Sequence, residues 1–452
     1  MSIKDLTQKS FSVLIIRSFG VLLLFGLTMF LTNFYSAENV GRYDFVRSTI
    51  MVLGGLTLMG TNQSIIYYSG LLKARKSIES IRTIYFKMLK IIFFLSLIVL
   101  SLFTVLFNES IINEVFKSSD SFSLIQKSIV ALFFFALTML NIDTIRALNK
   151  TILSEMYRSL FRYLPVLVFA IILLLTNNEH LLVEVYLSGF LLLSFSSSFR
   201  IYRLFNALEK PNKNSEIFST IEIFKTSFPM ALSAIAYFIM QSIDIIILSI
   251  YEGFDQIAYY SVSVKLAMVT TLALMSVNIV IAPRIAEIYE KKEFQSLQQL
   301  IKHSTRIIFL ISICVLSILF FFSEEILHLF GEGYVVAKNA LIFLLAAQFF
   351  NSLSGPGAIY LNMTGRQKTL NKVLITGLAI NIALNFYLIP THGINGAAMA
   401  TLISLIVWNS ITTLLIFSKD KIKIFLNKYE KTKFHYSRIS KMWHHLTSSL
   451  FR

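Results

Sequence analysis

Residues 229–284 read PMALSAIAYFIMQSIDIIILSIYEGFDQIAYYSVSVKLAMVTTLALMSVNIVIAPR. Two long apolar runs in this stretch are separated by the short polar turn EGFDQ, at residues 252–256. A helix needs about 20 apolar residues to cross a bilayer, and each run has roughly that length. Each run also carries one deeply placed ionisable residue, Asp244 in the first and Lys265 in the second. The stretch therefore predicts two membrane-spanning helices that bury charge.

The remainder of the chain repeats this apolar pattern. The chain has 452 residues, of which 55% are hydrophobic and 15% are charged. Backbone groups in lipid must be hydrogen-bonded internally, which restricts spanning segments to helices or closed barrels. Apolar runs such as Ile91–Leu100 do not alternate with polar residues as barrel strands do. The predicted fold class is an all-α polytopic membrane protein.

We predict twelve transmembrane helices, arranged as two six-helix lobes around a central cleft. The predicted spans lie at 12–34, 43–68, 84–107, 122–148, 154–176, 181–204, 228–250, 257–282, 302–323, 335–362, 370–390 and 394–417. The polar linker LEKPNKNSE, at 208–216, separates the sixth span from the seventh, and its proline favours a break there. The expected domains are an N-terminal lobe at 1–210, a C-terminal lobe at 211–418 and a basic amphipathic cytoplasmic tail at 419–452.

The placement of charge predicts the orientation of the chain. The net charge is +16, and the basic residues cluster in alternate loops and in the tail. This bias is typical of the cytoplasmic segments of membrane proteins, so anionic lipid headgroups rather than nucleic acid are the expected partner. With an even number of spans, both termini are expected to be cytoplasmic. The first apolar run is too long for a secretory signal peptide.

The two predicted lobes resemble each other weakly in sequence. When the chain is shifted by 217 residues, ENVGRY at 38–43 falls over DQIAYY at 255–260, and Arg47 falls beside Lys265. Because each lobe has six predicted spans, both copies have the same orientation, as in a parallel repeat. Asp244 has no charged counterpart, since the same shift places Leu27 opposite it.

The deep charges are the main candidates for function. Charge at the centre of a bilayer costs about 2.5–3.5 kcal/mol on insertion scales, so such residues usually face the protein interior or a polar cavity. Arg17, Arg47 and Lys265 are therefore candidate cleft residues for an anionic substrate, and Asp244 is a candidate gate or ion-coupling acid. At a rise of about 1.5 Å per residue, Asp244 and Lys265 lie at similar depth on consecutive helices. The alternatives are an internal Asp244–Lys265 ion pair, and an Arg17 side chain that extends to the headgroups.

Polar amides within the spans complete the candidate site. Asn33 and Gln241 are candidate cleft residues, whereas Asn381 and Asn385 are expected to form hydrogen bonds between helices. The seven histidines do not have metal-ligand spacing, and the single cysteine, Cys314, excludes an intramolecular disulfide. We therefore expect no catalytic residues, no metal and no cofactor, and a protein that is not an enzyme.

Residues 359–409, IYLNMTGRQKTLNKVLITGLAINIALNFYLIPTHGINGAAMATLISLIVWN, resemble the eleventh and twelfth helices of polysaccharide exporters. These exporters belong to the multidrug/oligosaccharidyl-lipid/polysaccharide (MOP) superfamily. The resemblance rests on Gly365–Arg366, on Leu388–Pro390 and on the small residues of 393–401. Small residues of this kind let helix backbones approach closely in lipid. Shorter stretches that resemble the family lie at 38–41, 242–244 and 259–260.

The resemblance implies a fold and a function. It implies two six-helix bundles in a V, and a flippase that moves undecaprenyl-diphosphate-linked oligosaccharide, such as the O-antigen of lipopolysaccharide, across the bacterial inner membrane. It further implies alternating access, a coupling ion that is H⁺ or Na⁺, and other glycan assembly proteins and membrane lipids as partners. Two alternatives stay open: a multidrug/cation antiporter of the same superfamily, and a membrane glycan polymerase or glycosyltransferase.

Overall fold

A computed structural model describes residues 3–116, 118–208 and 218–424 of the chain. Most of the predicted linker, and the predicted tail beyond residue 424, lie outside the described residues. The described residues form α-helices, with short 3-10 and π segments and no strand. The N-terminal half contains α1 (Ile3–Phe34), α2 (Ala37–Leu58), α3 (Thr61–Ala74), α4 (Ile81–Leu106), α5 (Glu109–Val115), α6 (Ser121–Ala147), α7 (Thr151–Met156), α8 (Leu164–Leu175) and α9 (Leu182–Asn206). The C-terminal half contains α10 (Thr220–Met240), α11 (Ile243–Tyr251), α12 (Phe254–Met268), α13 (Thr271–Glu290), α14 (Phe294–Phe321), α15 (Ser323–His328), α16 (Lys338–Ser354), α17 (Gly357–Met363) and α18 (Gln367–Asp420).

The apolar helices confirm a multi-pass membrane protein. Among the described residues, 9 helices are long and apolar enough to cross a membrane, or 10 if the bent pair α2–α3 is one span. Each of the twelve predicted spans coincides with a helix or with an interrupted helix. The lower count arises because α18 covers two predicted spans and because a break separates α10 from α11. Twelve spans in two lobes therefore stay a prediction.

α18 is a helical hairpin rather than one rod. A straight helix of its 54 residues would extend about 80 Å, well beyond the roughly 30 Å apolar core of a bilayer. Its backbone leaves helical geometry at Gly393, where φ is 53° and ψ is −131°. The two limbs then lie side by side, since Asn381 Nδ2 is 3.4 Å from Ser404 Oγ. The turn falls between the predicted spans 370–390 and 394–417.

The two halves of the chain meet along a seam, in which α2 and α3 pack against α10, α11 and α12. At the end of the seam that carries the acidic turns, here called the acidic end, the α2 backbone at Gly41 contacts α12. A Cβ atom at Gly41 would lie 1.7 Å from the carbonyl oxygen of Phe254, so only glycine fits there. Towards the opposite, basic end, Ser64 Oγ lies 2.6 Å from Ser227 Oγ.

α13 and most of α1 lie away from the seam. α1 packs on α7 and α8 of its own half, and α13 packs on α14 and α17 of its own half. Along α13 the buried residues are Ile281 and Ile285. Both helices therefore present much of their surface away from the core that joins the halves.

The described part of the predicted tail, residues 419–424, packs on the C-terminal half. The Gln298 side chain donates a hydrogen bond to the Lys423 carbonyl and accepts one from the Lys423 amide, each at 2.7 Å. Ile422 and Ile424 are 2% and 0% exposed, and they belong to a second apolar core with α13, α14 and α17. This short strap closes the basic end of the C-terminal half.

Candidate functional site

The strongest charge cluster of the seam joins the two halves. Lys265 Nζ, on α12, lies 2.9 Å from Asp44 Oδ2, on α2. Arg47 Nε lies 3.0 Å from the other oxygen of the same carboxylate, Asp44 Oδ1. The side chains of Asp44 and Lys265 are 0% and 6% exposed, and that of Arg47 is 18% exposed. Two cations thus share one carboxylate, which leaves the seam cluster with a net positive charge.

Local structure explains why these three side chains meet. The Ser36 side chain caps the start of α2 by accepting a hydrogen bond from the Asn39 amide, and Gly253 precedes α12. Both helices therefore start at the acidic end and run side by side. Asp44 and Arg47 are three residues apart, so they share one face of α2. Removal of a single partner from such a buried pair leaves an uncompensated charge, which costs about 3–5 kcal/mol.

Sequence reasoning identified both cations of the cluster and missed the acid. Arg47 and Lys265 were expected at similar depth, and the structure places both against Asp44. The predicted alternative of an Asp244–Lys265 ion pair is wrong, because Lys265 is paired with Asp44 instead. Two residues at the same depth on neighbouring helices can point in different directions. Lys265 points towards Asp44 on α2 and not towards Asp244 on α11. The sequence did contain a signal for the missed acid, since Asp44 stands three residues before Arg47 within the predicted span 43–68.

Asp244 lies at the centre of a second network, which is built from neutral groups. Its carboxylate accepts hydrogen bonds from Tyr260 Oη at 2.9 Å, Asn385 Nδ2 at 2.7 Å and Thr401 Oγ1 at 2.5 Å. Asn385 Nδ2 also lies 3.1 Å from Asn381 Oδ1. Asp244 is 9% exposed, and no cation of the described residues lies within ion-pair distance of it. The predicted hydrogen-bonding role of Asn381 and Asn385 is confirmed: Asn385 bonds Asp244 on α11, and Asn381 bonds Asn385 and, on the other limb of α18, Ser404.

Two features suit this network for a small cation. Asp244 stands in the first turn of α11, directly after the break that separates α11 from α10. Interrupted helices near the bilayer midplane are a frequent place for ion sites in transporters. The Asn385 Oδ1 atom is buried and has no hydrogen-bond partner among the described residues. An unpartnered acceptor beside a carboxylate is an arrangement that a bound cation or proton would complete.

Arg17 is held by an acid rather than free in a cleft. Its Nε and Nη2 atoms lie 3.1 Å and 3.2 Å from the two oxygens of Glu155, on α7. Ser159 donates a further hydrogen bond to Glu155, whose side chain is 9% exposed. The Arg17 side chain itself is 39% exposed. The pair fixes α1 to α7 within the N-terminal half and leaves the arginine accessible from one side.

Asn33 and Gln241, the two predicted polar residues of the cleft, lie in separate parts of the structure. Asn33 Nδ2, near the end of α1, lies 2.8 Å from the carbonyl oxygen of Leu329 in the C-terminal half. It therefore bridges the halves at the acidic end. Gln241 is half-buried in the break between α10 and α11, three residues before Asp244. The structure thus brings Arg47 and Lys265 together, places Gln241 near Asp244 in the chain, and sets Arg17 and Asn33 apart.

The residues that the structure describes contain no group of three His, Cys, Asp or Glu side chains that could hold a metal ion. The oxygen atoms around the Asp244 carboxylate come from amides and hydroxyls. Such neutral oxygens suit a weakly bound monovalent cation better than a resident transition metal.

Comparison with known proteins shows similarity to one family model over part of the chain and a shared fold over nearly all of it. The MatE family model matches residues 229–387. The chain is 25% identical over 242 residues to the "Probable low-salt glycan biosynthesis flippase Agl15" of Haloferax volcanii, which covers 52% of this chain and 48% of that protein. It is 27% identical over 173 residues to the "Putative O-antigen transporter" of Shigella flexneri, which covers 38% of this chain and 41% of that protein. The chain thus spans less than half of the length of these curated relatives.

Solved structures extend the similarity to nearly the whole chain. The lipid II flippase MurJ, in an inward closed conformation, superposes with a TM-score of 0.71 over 99% of this chain and 100% of that chain, at 16% identity. A multidrug resistance MATE family transporter, in an inward-facing conformation, superposes with a TM-score of 0.69 over 90% of this chain and 98% of that chain, at 13% identity. At these identities the structures show the fold alone. Together with the family match and the relatives, they confirm the resemblance found in the sequence.

Proposed function

We propose that this chain, a transporter-type protein of the MOP superfamily, is a flippase for undecaprenyl-diphosphate-linked oligosaccharide in the bacterial inner membrane. The observation that carries the proposal is the seam cluster, in which Arg47 and Lys265 share the single carboxylate of Asp44. A net positive site buried among apolar helices favours an anionic substrate group, as a lipid-linked diphosphate supplies. The relatives named as a glycan flippase and an O-antigen transporter support the same class of substrate.

The proposed mechanism is alternating access by two lobes, 1–210 and 211–418, each with six of twelve spans. The Asp44–Lys265 pair holds the lobes together while the site is empty. An anionic headgroup competes with Asp44 for Lys265 and Arg47, which weakens the link between the lobes. Both termini, and the tail that follows residue 418, would face the cytoplasm, from which the substrate is loaded. Membrane lipids and other glycan assembly proteins are the further partners that we propose.

We assign ion coupling to the Asp244 network. Its carboxylate, the Asn381 and Asn385 amide oxygens and the Thr401 hydroxyl supply oxygen atoms for H⁺ or Na⁺. Because the network joins α11, α12 and both limbs of α18, occupancy by a cation would change how tightly these helices pack. Arg17, Asn33 and Gln241 complete the proposed site as polar groups near the substrate path.

Transport by the purified full chain in proteoliposomes tests the proposal. The substrate is a polyprenyl-diphosphate-linked oligosaccharide that carries a fluorophore, and the readout is its accessibility to a membrane-impermeant quencher. We expect flipping by the wild type, with strong loss in Lys265→Met and Arg47→Gln. Lys338→Met is the matched control, since it removes an exposed lysine that pairs with Glu324 at 2.7 Å. Wild-type rates in both seam variants would refute a role for the cluster.

The multidrug antiporter is the alternative that the structural neighbours keep open, since MATE transporters share the fold. A drug exporter would bind organic cations, which the net positive seam disfavours. Proton-driven or sodium-driven uptake of an organic cation by the same proteoliposomes, without flipping of the glycolipid, would establish the alternative. Lengthening of the glycan during the assay would instead reveal a polymerase or glycosyltransferase.

A further inference from the structure

Arg162 lies within the N-terminal half, in the predicted span 154–176. It directly follows the π-helical segment Tyr157–Phe161 and precedes α8. Its guanidinium carbon lies 5.8 Å from the ring centroids of both Tyr163 and Phe190. A π-helical turn is rare and is frequently found at functional sites. The side chain therefore sits between aromatic rings of the helix bundle rather than in an open loop.

Arg162 differs from its neighbouring arginines because it has no acid. Arg17 is paired with Glu155, Arg158 with Asp143 and Arg47 with Asp44. No carboxylate of the described residues lies within ion-pair distance of Arg162. Arg162 is half-buried, and a cation that is partly removed from water without a counter-charge is costly. The site therefore lacks a group that would compensate the charge.

Two buried polar atoms at this position also lack partners. Among the described residues, neither Arg162 Nε nor the Tyr186 hydroxyl has a hydrogen-bond partner. Tyr186 is 3% exposed, and its ring packs edge-on against Tyr43 at 4.9 Å. Arg162 Nε can only donate, whereas the Tyr186 hydroxyl lies against the same guanidinium, can accept from it and still has a proton to donate. Each of the two groups therefore lacks an acceptor. An unsatisfied pair of buried donors indicates a place for an anion or for ordered water.

The position of Arg162 connects this place to the seam cluster. Arg47, Tyr163 and Tyr186 are its charged and polar neighbours. Arg47 lies ten residues into α2 from the acidic end, and Arg162 lies eleven residues past the start of α7 at the basic end. At about 1.5 Å per residue, both lie roughly 15–17 Å from opposite ends, which is near mid-depth of the bundle. Two cations that approach each other at this depth repel unless an anion lies between them.

We propose that Arg162 and Tyr186 form an oxyanion subsite beside Arg47, and that this subsite makes the protein prefer a diphosphate linkage to a monophosphate linkage. The inference rests on the proposed function and adds a specificity determinant to it. Arg47, Lys265 and Arg162 carry three positive charges against the one negative charge of Asp44. A lipid diphosphate that is esterified to a sugar carries two negative charges, which equals the excess. A guanidinium fork and a hydroxyl donor suit a phosphate oxygen pair.

Binding to the full-length protein in nanodiscs tests the inference. The two probes are a polyprenyl-diphosphate-linked sugar and the polyprenyl-monophosphate-linked form of the same sugar. The wild type should bind the diphosphate more tightly. We expect Arg162→Gln to weaken diphosphate binding about tenfold, as the loss of a charge-assisted hydrogen bond does, and monophosphate binding less than about twofold. Tyr186→Phe should weaken diphosphate binding in the same direction, and Arg162→Lys should recover part of it.

Arg203→Gln is the matched control, because Arg203 also lies over an aromatic ring, 4.5 Å from the centroid of Phe199, but on the exposed face of α9. It should leave both affinities unchanged. The inference is overturned if Arg162→Gln weakens the binding of both probes equally, or weakens the binding of neither. If Arg162→Gln does not fold, the ratio of diphosphate affinity to monophosphate affinity is measured in Arg162→Lys and Tyr186→Phe instead. An unchanged ratio in both variants overturns the inference. A wild type that flips no glycolipid and binds neither probe refutes the proposed function itself.

Discussion

Lys265 Nζ and Asp44 Oδ2 are 2.9 Å apart, although 221 residues separate them in the chain. The pair is buried, and it is a direct electrostatic link between the N-terminal and C-terminal halves. Arg47 shares the same carboxylate, so neither half can move along the seam without changing the environment of at least one charge.

The first prediction concerns the stability of this link. Asp44→Asn and Lys265→Met should each destabilise the protein by about 3–5 kcal/mol, because each leaves a buried charge without its partner. The double variant should lose less than the sum of the two, since it removes both charges. Thermal unfolding of the detergent-solubilised variants measures the effect. Lys338→Met, at the exposed pair with Glu324, should change stability by less than about 1 kcal/mol. If the loss of stability in the double variant equals the sum of the losses in the two single variants, Asp44 and Lys265 do not stabilise each other.

The second prediction separates coupling from folding at Asp244. Asp244→Asn keeps the shape of the side chain and an oxygen that can accept from Tyr260 or Thr401. We therefore expect the variant to fold and to bind substrate, while transport becomes insensitive to an imposed Na⁺ or pH gradient. Transport measured under each gradient separately identifies the ion. Asp255→Asn, an acid in the first turn of α12 that contacts Gln256, is the control. A gradient response like that of the wild type in Asp244→Asn would exclude the assignment.

The third prediction concerns the hairpin turn of α18. At Gly393 the backbone has a φ of 53°, and a Cβ atom would lie 3.2 Å from Glu252 Oε1. Gly393→Ala should therefore destabilise the protein by about 1–3 kcal/mol, the cost of a non-glycine residue in a sparsely populated region. Gly70→Ala is the matched control, because a Cβ at this helical glycine would contact nothing within 4 Å. It should be neutral or stabilising by up to about 1 kcal/mol. The unfolding temperature of Gly393→Ala should lie below that of the wild type, and that of Gly70→Ala should lie at or above it.

The fourth prediction concerns the strap that follows α18. Ile424 is 0% exposed, and the Thr305 hydroxyl donates a hydrogen bond of 3.1 Å to its carbonyl oxygen. Ile424→Ala should cost about 2–5 kcal/mol, as is usual for a fully buried isoleucine. Ile111→Ala, at a residue that is 43% exposed on α5, should cost less than about 1 kcal/mol. Truncation after Asp420 should lower the unfolding temperature relative to truncation after residue 424. Equal temperatures for the two truncations would show that the strap does not support the core.

The helical fold was predictable because lipid restricts the backbone to few solutions. Apolar runs of spanning length marked the long helices, and the turn at Gly393 fell between two predicted spans. The small residues of 393–401 were predicted to allow close packing, and a Cβ at Gly396 would lie 2.3 Å from the Leu388 carbonyl oxygen. These features depend on residues that are near one another in the chain.

The partners of the candidate site were not predictable from local pattern. Asp244 is bonded to Asn385 and Thr401, which are 141 and 157 residues away. Lys265 was matched in depth with Asp244, but rotation of the helices about their axes turns it to Asp44 on the other half. Arg162 lies in the predicted span 154–176, but that position does not reveal its contact with Phe190 on α9. Contacts between distant helices decide all three cases, and a single sequence does not encode them in its periodicity.

The absent side chain at Gly41 brings the two halves into backbone contact at the acidic end of the seam, where the proposed rocking of the lobes would have its axis. Over the roughly 30 Å apolar core of a bilayer, rotation of about 10° around that point would move the basic end by about 5 Å. In such a movement the halves would separate least at Gly41 and most at the basic end of the seam. A valine at position 41 would act as a wedge, and would hold the acidic ends apart before any substrate arrived.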